Sequence, residues 1–145
     1  MMHARMRWTI IMAAWVAVVI AGSLSAVLAE SRDDRTAILQ ADAEHLMANV
    51  EEMMAHGGMG DAKAIVHHCG EAARYAETLG RRMNGSDAAT QQARAALAEI
   101  MRQCGRVSER GIHADPGALL NPAIKARAAA RDLFKALGIS RTTRG

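Results

Sequence analysis

Proline is almost absent from this chain, with two residues in 145, and so is every aromatic: one phenylalanine, one tyrosine and two tryptophans. With so little proline, long helices can run uninterrupted. The two cysteines, Cys69 and Cys104, form no Cys-x-x-Cys-His, which excludes covalent haem attachment, and no Cys-x-x-Cys, which excludes a thioredoxin-type motif. No basic stripe is interleaved with aromatic side chains, so nucleic-acid binding has no footing. There is also no glycine-rich phosphate loop, no Ser/His/Asp arrangement and no His-Glu-x-x-His. Nothing here points to an enzyme.

What is present begins with the leader. Arg5 and Arg7 precede an apolar run from Trp8 to Ala21, and Val27-Leu28-Ala29 has the small-x-small form that signal peptidase reads. Residues 1–29 are therefore read as a signal peptide, with Gly22, Ser23 and Ser25 weakening any helix there. The rival reading is an uncleaved anchor, because Trp8 to Ala29 carries no charge over a length able to span a bilayer. Either way residues 30–145 are exported, as one modest domain expected in the periplasm, with no stable membrane association once the signal is cleaved. Arg5 and Arg7 belong to the leader, so the formal charge of +3 drops to near neutrality in the mature part.

Alanine, leucine, methionine, glutamate, glutamine and arginine dominate that part, all good helix formers. Breaks fall at Gly57–Gly60, at Asn84-Gly85-Ser86 and across Gly111 to Asn121. Asp61, Ser86 or Asp87, and Asn121 followed by Pro122 are the expected helix starts. The spacing predicts helices at roughly 34–56, 61–83, 87–110 and 122–137, the long ones about 33–36 Å each. Apolar residues recur at helical spacing: Leu39, Ala43, Leu46, Val50, Met53 and Met54 in the first. Ile65, Cys69, Ala72, Ala76 and Met83 do so in the second, and Ala93, Leu97, Ile100, Met101 and Cys104 in the third. Ala126, Ala130, Leu133 and Leu137 follow in the fourth, with Ile124 outside. No strand-like alternation appears. Short turns make neighbours antiparallel, so the expected fold is all-α, an up-down antiparallel four-helix bundle built from two helical hairpins.

The halves resemble each other. His56-Gly57 corresponds to Cys104-Gly105, Glu51 and Met53 to Glu99 and Met101, and Ala72-Ala73-Arg74 to Ala129-Ala130-Arg131. Lys125 stands where the first half has His68, so a ligand set there has decayed. The cysteines lie equidistant from the predicted turn near Ser86, which places them at one height on antiparallel helices. A Cys69–Cys104 disulfide fits that position and an oxidising compartment, and would contribute a few kcal/mol by closing its loop. Two buried thiols, or a thiolate pair on a soft metal, are the rival readings.

Five histidines lie beyond the leader, four of them between His45 and His68. His45, Asn49, Glu52 and His56 fall within about 60° of arc on the first helix, away from its core face. Imidazoles suit copper, nickel and zinc, and carboxylates complete the shell. His45 and His56 are three turns apart, about 16 Å, and cannot share an ion unaided. His56 has Glu52 one turn back, Met59 in the turn and Asp61 at the next helix start as nearest partners. The surrounding methionines would suit copper(I), although Met53 and Met54 lie on the core face and there fill space. His67 points outward; His68 sits at the edge of the core face, with Glu71 and Tyr75 on its side. His113, with Asp115 two residues on, is a weaker candidate.

The string His45-Leu46…Glu51-Glu52-Met53-Met54-Ala55-His56-Gly57…Gly60-Asp61-Ala62…His68…Glu71-Ala72…Tyr75-Ala76-Glu77 resembles the periplasmic small metal-binding protein family. The resemblance implies a histidine-rich four-helix bundle that binds divalent copper, nickel and zinc for storage, buffering or detoxification. Position by position, it implies His45, His56 and His68 as ligands with Glu52, Asp61 and Glu71 assisting. Two departures lower the expected capacity to one or two ions near the first hairpin. The family's histidine after the turn glycine is Asp61 here, and the second half has lost nearly all its histidines. The competing expectation is a structural or interaction bundle of the cell envelope that binds no metal.

Overall fold

The computed structural model describes residues 33–140, so the leader and its cleavage site lie outside the described residues. The chain divides into two compact units at Ile38 and Leu39, and the bundle and its site belong to Leu39–Gly145. Four helices make up the described residues: α1 at 33–59, α2 at Ala62–Arg82, α3 at Ala88–Arg110 and α4 at Pro116–Ala136. They form a four-helix bundle with no strand among the described residues. None of these helices is long and apolar enough to cross a membrane.

Side-chain pairs show the antiparallel register. Arg82 bonds Asp42, Tyr75 stacks on His45 and His68 meets Asn49, so α2 descends as α1 rises. The contact of Gly57 with Leu120 and the Glu51–Arg127 ion pair of 2.8 Å fix α4 against α1 in the same sense. The core collects Leu46, Val50, Met53, Ile65, Cys69, Leu79, Ile100, Cys104, Val107, Leu119 and Leu133, all essentially sealed from solvent. The expected core faces hold for α1 and α2. On α3 Met101 departs from expectation and is 43 % exposed, with Val107 and Gln103 taking inward positions instead.

Asp61 and Asp87 cap their helices as expected, accepting from the amides of Ala64 and Thr90. Two boundaries differ. First, α1 does not stop at Gly57 but continues through Met59, and Gly60, with φ of 75°, makes the turn. The Asp61 amide donates to the His56 carbonyl at 3.1 Å and the Gly60 amide to Gly57 at 3.3 Å. This is a Schellman ending, and it supplies two carbonyls that the helix end leaves open.

Second, α4 begins at Pro116 rather than Pro122, six residues early. Pro122 then lies inside the helix, where it has no amide proton to give the Ala118 carbonyl. The Arg110 guanidinium donates to that carbonyl instead, which lets the helix run through the proline.

Cys69 and Cys104 meet in the core as expected from their common height, but as two free buried thiols. The expected disulfide bond is not formed in this structure. Contact with the Cys104 thiol, and then burial, push the Cys69 thiol far above its ordinary pKa.

Candidate metal centre

The Schellman turn at the end of α1 builds the site. By tying the Asp61 amide to the His56 carbonyl it sets the start of α2 beside the last turn of α1. His68, two turns into α2, then lies against His56, their rings stacked with centroids 5.3 Å apart. Glu52, one turn before His56 on α1, completes a group whose donor atoms all lie within 4.8 Å of one another. Among the described residues, Glu52, His56 and His68 are the histidine, cysteine and acidic side chains that converge in this way.

Three of the four ring nitrogens have a distinct neighbour. His56 turns Nε2 towards Glu52 at 4.0 Å and Nδ1 towards Asp61 at 3.8 Å. That Nδ1 is sealed from solvent and makes no hydrogen bond. Asp61 spends its Oδ1 on the Ala64 amide, so the carboxylate that caps α2 also stands behind His56. His68 Nδ1 lies 3.1 Å from Asn49 Oδ1, and Asn49 Nδ2 donates to the His45 carbonyl at 3.0 Å. His67 is exposed and meets His68 edge-on at 5.1 Å.

The electrostatics favour neutral imidazole at His68. Its pKa is held below the ordinary 6.5, first by burial, then by the neighbouring His67 and His56, with Glu52 and Glu71 opposing. A ring that resists protonation keeps a lone pair for a cation at neutral pH.

The other expected ligands are placed elsewhere. His45 stacks on Tyr75 with centroids 5.4 Å apart, and the Arg74 guanidinium lies 5.0 Å above that same ring. Glu71 pairs with Arg74, whose hydrogen bond holds the Glu71 carboxyl below its ordinary pKa. Asp61 lies 3.8 Å from Nδ1 of His56, outside the group that His56 forms with Glu52 and His68. Met59 is 69 % exposed and Met53 is buried in the core. Asn49 was grouped with the polar stripe of α1 in the sequence, but its partner on α2 was not visible there.

Two imidazoles and a carboxylate from adjacent helices match the donor set of a borderline divalent ion. Metal–ligand bonds of about 2.0–2.2 Å need donors roughly 3–4 Å apart, so the group must tighten by about 1 Å. Glu52, with 60 % of its side chain exposed, is free to swing inward. The α3–α4 side offers no equivalent. A groove of about 640 Å³ there is floored by Ala95, Ala96, Ala128 and Ala129, with Glu99 and Lys125 at its edge, and no histidine lines it. No protein-family model, curated protein or solved structure matches this chain.

Proposed function

We propose that the protein is a non-enzymatic, exported metal-binding bundle that takes a divalent copper, nickel or zinc ion at Glu52, His56 and His68. The convergence of these three donor groups from α1 and α2 to within 4.8 Å is the observation that supports it. With one such cluster, the protein would buffer or store a single ion in the periplasm rather than accumulate many. Exposure of Glu52 keeps the ion exchangeable, which suits buffering and detoxification better than permanent structural use.

Calorimetric titration of the domain 30–145 with copper(II), nickel(II) and zinc(II) tests the reading, with a His56→Ala, His68→Ala double variant alongside. Binding tighter than about 100 µM, or about 5.5 kcal/mol, is expected for the unaltered domain and not for the variant. Weaker binding, or equal binding by both, would leave the bundle a structural or interaction module of the envelope.

A further inference from the structure

We infer that Asn49 is a positioning residue that fixes the proton of His68 on Nδ1 and so commits Nε2 to the metal ion; the inference rests on the metal-binding reading. The chain of hydrogen bonds has a single sense. The His45 backbone carbonyl can only accept, so the amide atom facing it at 3.0 Å must be the Asn49 NH2 group. That orientation leaves Asn49 Oδ1, an acceptor, 3.1 Å from His68 Nδ1. A hydrogen bond there requires Nδ1 to carry the hydrogen, and a neutral imidazole then has its one lone pair on Nε2.

His56 repeats the arrangement more loosely. Its Nε2 is the nitrogen nearest Glu52, at 4.0 Å, while Asp61 stands 3.8 Å from its Nδ1. Both imidazoles are thus backed at Nδ1 by an oxygen from the scaffold, which leaves Nε2 of each for the ion. Partners behind ligating histidines set ring orientation and tautomer in this way and contribute to affinity. Asn49 is the better placed of the two. It sits in the middle of α1, where the carbonyl one turn back anchors it, and it bridges to α2.

The test reads the tautomer directly, by long-range proton–nitrogen NMR on the metal-free protein labelled at histidine nitrogen, at about pH 8, well above the reference histidine pKa. His68 should show a protonated Nδ1 and a bare Nε2. Asn49→Ala, which keeps a good helix former on α1, should release proton density onto Nε2 and weaken zinc binding about tenfold. Asn49→Asp, which retains an acceptor for Nδ1 although it loses the donor to the His45 carbonyl, should keep the Nδ1–H form. A wild-type proton on Nε2, an unchanged tautomer in Asn49→Ala, or a changed tautomer with unchanged zinc affinity would each overturn the inference. Absence of zinc binding in the unaltered protein would instead sink the metal-binding reading, while the tautomer would still decide whether Asn49 sets the ring.

Discussion

Gly57 shows at the scale of one residue how a position can mislead in sequence and make sense in space. Glycine weakens a helix interior by up to about 1 kcal/mol relative to alanine, so a Gly-Gly pair reads as a break. Yet α1 runs through it, and the residue is buried. A Cβ built on Gly57 would meet the Leu120 Cδ2 at 2.4 Å, well inside contact distance. The glycine leaves room for the end of the Leu120 side chain on α4, a contact from far along the chain that local propensity does not encode. The two effects oppose each other in Gly57→Ala, and Leu120 decides between them. In a Leu120→Ala background the clash is gone, and Gly57→Ala should stabilise by up to about 1 kcal/mol. In the native background the same change should be less favourable by up to about 1 kcal/mol, because only the flexible end of Leu120 has to move. Urea unfolding of the four proteins in the cycle measures the difference, and additive effects would dismiss the steric account.

Among the elements, α4 is where sequence signals competed. Asp115-Pro116 and Asn121-Pro122 carry the same start signature, and only the second was expected to open the helix. The structure selects the first because Leu119, Pro122 and Ala123 are all buried, and six further helical residues extend the core. The difficulty of Pro122 is met by Arg110, which donates to the carbonyl the proline cannot serve. Arg110→Ala should therefore destabilise the native protein by about 0.5–1 kcal/mol, the worth of an ordinary hydrogen bond. In a Pro122→Ala background, where the amide of residue 122 can serve Ala118 itself, the same change should cost nearly nothing. Denaturant midpoints of the two pairs decide it, and equal losses would show that the arginine acts elsewhere. Features that depend only on turn position were easier to read. Cys69 and Cys104 were expected at one height and do meet, whereas their chemical state, two thiols in contact, is not a property of spacing. Helix faces were legible to within one position, the error being Met101, which borders the face but stays exposed.

At the scale of the whole molecule, the two hairpins share an architecture but not a chemistry. The first brings Glu52, His56 and His68 together across α1 and α2; the second has Lys125 beside an alanine-floored groove. His56, Glu52 and Asp61 were legible because one helical turn and one tight turn hold them near each other. His45 and Glu71 were grouped with them by the family resemblance and the helical wheel, neither of which records partners. Tyr75 and Arg74 take those two side chains. The Glu71–Arg74 pair is an ordinary i,i+3 helix contact, whereas the His45–Tyr75 stack crosses helices and does not follow from local spacing. An ion held by the first hairpin alone would link α1 to α2 and bind the folded chain far better than the unfolded one. Mass action then stabilises the fold by about 2.7 kcal/mol at a free-ion concentration one hundred times the dissociation constant. For a domain of this size that corresponds to a rise in Tm of roughly 10 °C. Thermal unfolding with and without zinc should show this rise in the native protein and lose it in the His56→Ala, His68→Ala variant. His45→Ala should keep it, since His45 is stacked on Tyr75 outside the cluster. Loss of the rise in His45→Ala to the same extent as in the double variant would mean that the ion is held along the α1 stripe, and not between the helices.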